Sequence, residues 1–267
     1  MTARLLPLAL AVWTAAVFAF VFAPIAASVV FSFNSDRFPT IPLGEFTWTW
    51  YETVWADPDA WTATLNSLQV SLASSAIATA LGFATAYTDF RFGFRFKPAY
   101  LALALLPPTI PLIILALASL AWFSRIGLSG TLWAVIAAHA VLTAPFAMAI
   151  IRLRLSQMDA SLEAAAWNLG ASEARALREV ILPFCRPAII SAFCLTAAVS
   201  FDEFTIAWFV SGLEKTIPVH VLEIVQGNID PQVNAIGSMV FGASMAMVAL
   251  AQLVFMFGGA RREEGSR

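Results

Sequence analysis

The sequence predicts an all-α polytopic membrane protein with six transmembrane helices and both termini in the cytoplasm. Three observations predict it. Of 267 residues, 60% are hydrophobic and only 12% are charged, outside the range of a soluble globular chain. Six runs free or nearly free of charge are each long enough to cross about 30 Å of hydrocarbon as helix. Lysine and arginine alternate strictly between the two ends of those runs.

The runs lie at about 8–31, 65–88, 98–123, 132–151, 188–210 and 236–257, so residues 1–267 read as a single transmembrane domain. The first has no small-residue cleavage pattern after a short core and reads as a retained span. One side receives Arg4, Arg91, Arg95, Lys97, Arg152, Arg154, Arg175, Arg178, Arg186, Arg261, Arg262 and Arg267; the other receives only Arg37, Arg125 and Lys215. Twelve bases against three place the first side in the cytoplasm. The outer loops carry eight acids (Asp36, Glu45, Glu52, Asp57, Asp59, Glu214, Glu223 and Asp230) against those three bases. Two readings are open: an acidic mouth that concentrates cations, or a passive result of excluding bases from that side.

The first outer loop is rich in rings. Trp48, Tyr51 and Trp55 recur at helical spacing, which suits a short helix at the membrane surface. In the third run, three prolines within Pro107-Pro108-Thr109-Ile110-Pro111 must interrupt the helix, and the freed carbonyls need a polar or protein-lined setting. His139 in the fourth run reads as a neutral imidazole bonded to a backbone carbonyl near Pro145, with a proton shuttle or metal ligand as the alternative. Cys185 and Cys194 lie nine apart on one expected helix and read as small apolar fillers.

Asp202 and Glu203 sit deep in the fifth run. A carboxylate in hydrocarbon costs several kcal/mol, so such residues face a cavity, an interior or a partner. Successive helical positions diverge by about 100°. Asp202 is therefore expected on a face with Thr205 and Phe209, and Glu203 on another with Thr196 and Ala207. Asp202 is the candidate counter-charge for an amino group, and Glu203 is expected to pair with a partner or with backbone. The alternative gives both acids only a role in holding helices together.

The longest charged segment, Asp159 to Pro187, reads as two short helices. Asp159 is expected to cap a helix over about 160–169, Gly170 to stop it in a left-handed turn, and Ser172 to cap a second helix ending at Pro183. A docking surface and a plain solvated link are both compatible with this pattern.

Within that segment, Glu163-Ala164-Ala165, Gly170 and Ile181-Leu182-Pro183 resemble the EAA loop of permease subunits in ABC-type importers. Asn66-Ser67-Leu68, Ala138-His139, Ala144-Pro145-Phe146 and Ser200-Phe201-Asp202-Glu203-Phe204 extend the likeness, which looks like the spermidine/putrescine class and the second partner of its heterodimers. The resemblance implies the type I ABC importer permease fold in a bacterial inner (plasma) membrane. Residues 159–183 become the coupling loop, with Glu163, Ala164, Ala165, Trp167 and Gly170 toward the ATPase. Glu163 would bond to that subunit or to the loop's own arginines.

The implied partners are a second, different permease, two copies of a cytoplasmic ATPase and a periplasmic substrate-binding protein; no nucleic acid is expected. The chain has no glycine-rich phosphate cradle ending in Gly-Lys-Ser/Thr. No cofactor is therefore expected here, ATP and Mg²⁺ belong to the partner ATPase, and the chain is not an enzyme. The substrate path would use Asp202, Glu203, Trp50, Thr109 and Phe209, for putrescine, spermidine or a smaller amine-containing or amino-acid-like solute. Polyamine-type relatives commonly carry an acid near Thr109, and this chain does not. The rival reading is an ATP-independent secondary transporter or channel using Asp202, Glu203 and His139.

Overall fold

The structure is a computed structural model that describes residues 2–38, 40–227, 231–243 and 245. In chain order its helices are α1 (Thr2–Phe31), α2 (Thr49–Ala56), α3 (Pro58–Arg91), α4 (Lys97–Leu105), α5 (Leu112–Arg125) and α6 (Leu132–Leu155). They continue with α7 (Ala160–Asn168), α8 (Glu173–Ala176), α9 (Leu182–Asp202), α10 (Thr205–Val210), α11 (Ile217–Gly227) and α12 over residues 232–243. Among the described residues there is no β-strand, only an isolated antiparallel bridge between Asn34 and Phe46. Among the described residues, four helices are long and apolar enough to cross a membrane: Leu6–Phe31, Pro58–Arg91, Leu132–Leu155 and the continuous stretch Glu173–Asp202. The expected sixth span, 236–257, lies outside the described residues beyond 245, as do Arg261, Arg262 and Arg267.

The described residues form two compact units, one from 61–220 and one from those of 1–60 with those of 221–245. In the second of these, α1 exposes its apolar side chains all round, Phe20 at 82%, as suits a helix solvated by lipid. After α1 the chain turns through a small aromatic block in which Phe33 stacks on Phe46 at 5.1 Å and meets Trp48 and Tyr51 at 4.8 and 5.0 Å. The short surface helix expected around Trp48, Tyr51 and Trp55 is α2.

The 61–220 unit is built around α6, which is buried along most of its length. Toward one end α6 packs with α3, α5 and α10 through Val70, Ala116, Val135, Leu142, Ile206 and Val210. Toward the other it packs with α3 and α9 through Ala86, Met148, Ile151, Leu155, Cys185 and Ala192. Lipid is as apolar as leucine, so helices gain little from apolarity alone; small residues that let backbones approach supply the dispersion contact. Gly82 of α3 shows this. A Cβ there would lie 2.6 Å from the Met148 nitrogen and 2.7 Å from Ala147 Cβ. Gly82→Val is therefore expected to destabilise the fold by about 3 kcal/mol, read as a lowered melting temperature in detergent; an unchanged melt would contradict the packing.

Two expected spans are broken. In the third, α4 ends at Leu105, a 3₁₀ turn covers Pro107–Thr109 and α5 restarts at Leu112. Proline's missing N–H dictates this, and Thr109 Oγ1 satisfies the Leu106 carbonyl at 2.6 Å. The fifth departs from expectation at both ends. The second elbow helix does not stop at Pro183: a π turn, Leu177–Ile181, carries it on into α9, with Pro183 in the first turn. At the far end α9 stops at Asp202, Glu203 is extended (φ −71°, ψ 118°), and α10 begins at Thr205. Asp202 therefore shares no helical face with Thr205 and Phe209, and Glu203 none with Ala207.

Candidate functional site

The charged elbow is built from local rules. Asp159 caps α7, accepting from the Ser161 amide at 2.8 Å. Hydrogen bonds from that amide and hydroxyl hold the Asp159 carboxyl below its usual range. Helix α7 closes in a full Schellman motif: the Ala171 amide donates to Ala166 O at 3.0 Å and the Gly170 amide to Trp167 O at 2.9 Å. Gly170 has φ +82° with nothing within 4 Å of a would-be Cβ, so glycine is required there by backbone alone. Ser172 caps α8 by accepting from the Arg175 amide at 3.3 Å. On α7, Leu162, Ala164, Ala165 and Trp167 are exposed, and Leu169 just after it is 89% exposed.

Glu163 faces the other way. It is buried, and within the chain its partner is not an arginine of the loop: Arg91, the last residue of α3, places Nε 3.2 Å from its carboxylate. The Arg91 guanidinium also lies 4.8 Å over the Trp167 ring and 3.8 Å from Glu173. Two residues earlier, buried Asp89 takes Lys97 at 3.1 Å and Arg152 at 2.6 Å, tying the ends of α3, α4 and α6 together. Sequence reasoning missed both Asp89 and Arg91 as site residues. The available signal was an acid and a base at the end of a long apolar run, on the side where Lys97 and Arg152 also emerge.

The acids of the fifth span part company. Asp202, the last residue of α9, is exposed. Glu203 is buried, and its carboxylate accepts from the amides of Ile206 (2.9 and 3.1 Å) and Ala207 (3.2 Å). It thereby supplies the first turn of α10 with acceptors, where the helix dipole favours a negative group. Of the two partners expected for Glu203, a neighbouring permease or backbone, it is backbone that it meets within the chain. His139 differs from expectation: it bonds no carbonyl through its ring. Its Nδ1 meets Ser200 Oγ at 2.8 Å, and Ser200 Oγ accepts from Ser74 at 2.8 Å. Its Nε2 lies 3.2 Å from Glu203 Oε2, oblique to a hydrogen-bond line. Side chains from α3, α6 and α9 thus converge on the break before α10.

The remaining candidates are dispersed. Trp50, half-buried in the other unit, donates Nε1 to the Asn34 carbonyl at 2.8 Å. Thr109 is exposed at the proline break, and Phe209, within α10, is half-buried against the core. Asn66 donates to Lys215 O at 3.0 Å while Ser67 Oγ accepts from the Ile217 amide at 2.8 Å, so this pair fixes the start of α11. Glu214 accepts from the Leu132 amide at 2.7 Å at the head of α6. Among the described residues no three metal-ligating side chains converge.

Comparison with known proteins agrees with this architecture. The chain is 33% identical to the spermidine/putrescine transport system permease protein PotC of Haemophilus influenzae, covering 89% of this chain and 93% of that one. It is 32% identical to the putrescine transport system permease protein PotI of Escherichia coli, over 85% and 83% of the two chains. Its fold matches a chain of a bacterial alginate ABC transporter, crystallised in complex with its pentasaccharide-bound periplasmic protein, at a TM-score of 0.72 and 16% identity over 96% and 94% of the chains. Residues 78–259, which include the elbow, the broken fifth span and His139, Ser200 and Glu203, match the family described as the binding-protein-dependent transport system inner membrane component, and the chain belongs to that family of multi-pass ABC importer permeases.

Proposed function

We propose that this chain forms half of the translocation path of an ATP-driven importer for a polyamine such as putrescine or spermidine. It works beside a second, different permease, two copies of a cytoplasmic ATPase that bind ATP and Mg²⁺, and a periplasmic binding protein. Six spans, with both termini and the elbow in the cytoplasm, complete this reading, supported by the distribution of twelve bases against three. The relatives named for spermidine and putrescine support the substrate class.

The observation that carries the reading is the continuity of one element. An elbow with an exposed apolar face runs through α8 and the π turn into α9, whose far end presents the exposed Asp202. A push on the elbow is thus delivered along a helix to a carboxylate suited to an ammonium group. Trp50, in its own unit, offers an electron-rich ring suited to a cation, and Thr109 and Phe209 are the further candidates for the path. Glu203 serves the path by shaping the break beside it. The rival, an ion-coupled transporter or channel using Asp202, Glu203 and His139, is disfavoured because backbone amides engage the Glu203 carboxylate and Ser200 engages His139 Nδ1. A smaller amine-containing solute is the second substrate reading, favoured by Thr109 standing where an acid is common.

Asp202→Asn tests it. Losing a charge-assisted contact costs about 1.5–3 kcal/mol, so the half-saturating polyamine concentration for uptake should rise about tenfold or more. The four-part complex should assemble normally. Unchanged uptake removes Asp202 from the path.

A further inference from the structure

The elbow is joined covalently to a spanning helix at each end, to α6 through residues 156–159 and to α9 through the π turn. Beside apolar packing of Leu177 and Ile181 near Ala86, its charged link to α3 is Arg91. Arg91 ends the uninterrupted helix α3 (Pro58–Arg91) and grips α7 and α8 together: Nε on Glu163 at 3.2 Å, a second arm 3.8 Å from Glu173, and the guanidinium plane over Trp167 at 4.8 Å. A planar cation that stacks on a ring while bonding a carboxylate holds direction as well as distance. The end of α3 is braced in turn, because Asp89 binds Lys97 and Arg152.

We infer that Arg91 is a positioning residue of coupling, carrying displacement of the elbow into α3 so that the second and fifth spans move as a pair. This rests on the proposal that α7 docks to the ATPase. Glu163 and Trp167 then have a division of labour: the carboxylate and the ring face contact Arg91, and the exposed surface of Leu162, Ala164 and Ala165 is left for the motor. Without Arg91, the charged link between the elbow and α3 is lost, and α3 follows a pushed elbow less closely than α9 does.

The test reads the two helices separately in the assembled complex. A fluorophore on the native, exposed Cys194 reports α9. A fluorophore on Ala84→Cys, at an exposed position of α3, in a Cys194→Ser background reports α3. Both signals are followed on trapping with ATP and vanadate. With Arg91 present, both are expected to respond. In Arg91→Ala the α9 response persists and the α3 response falls at least threefold; Arg91→Lys, which keeps the charge and loses the stack and second arm, gives an intermediate α3 response. An α3 response unchanged in Arg91→Ala overturns the inference, as it does in Arg91→Lys should the alanine variant fail to accumulate. A Cys194 signal silent even with Arg91 in place overturns the docking proposal and this inference with it. A responding Cys194 beside an α3 signal indifferent to Arg91 sinks the role of Arg91 alone.

Discussion

Glu203→Ala is expected to lower the melting temperature of the purified protein by on the order of 10 °C and to abolish transport. The carboxylate is 6% exposed, accepts from two backbone amides and lies beside the His139 ring. Its removal strands the Ile206 and Ala207 donors, and each buried orphan costs about 1–3 kcal/mol. Glu203→Gln keeps one oxygen acceptor and the volume, so it should show a smaller fraction of the loss. Asp202→Asn, one residue away and exposed, should change stability by no more than about 0.5 kcal/mol. Melting curves of the three variants separate the residues: equal stability of Glu203→Ala and the parent protein would mean that the carboxylate does not hold the break.

Gly170→Pro is the second large effect. Glycine there has φ +82° and donates its amide to Trp167 O at 2.9 Å. Proline has neither that conformation nor that amide, so the turn that sets α7 against α8 is lost. Every spanning helix is untouched, and membrane insertion should be normal. Stimulation of ATP hydrolysis by liganded binding protein should fall about tenfold, and uptake with it, because an effective concentration of docked elbow is lost rather than a catalytic group. Ala164→Trp reaches the same outcome by a different route. Its side chain is exposed, so the fold should melt as before while the bulk blocks close approach of a partner. Normal coupling in both variants would show that the elbow docks nothing.

The elbow was legible in the amino acids because its determinants are local. Asp159, Gly170 and Ser172 act on backbone groups within three residues of themselves, and those rules need no tertiary context. The long apolar runs were legible for a related reason: hydrocarbon forces each segment to satisfy its own backbone, which makes helix the default. The proline break in the third span belongs to the same class. What only the tertiary structure decided depends on helices distant in the chain. Glu163 finds Arg91 seventy-two positions away, where sequence pointed to the loop's own arginines. His139 meets Ser200 and Glu203 across the α6–α9 seam, where sequence pointed to a carbonyl. The fifth span continues through Pro183 and breaks after Asp202 because a π turn absorbs the missing donor and a buried carboxylate supplies new acceptors. Periodicity encodes which groups need partners; the three-dimensional packing alone selects which partners they get.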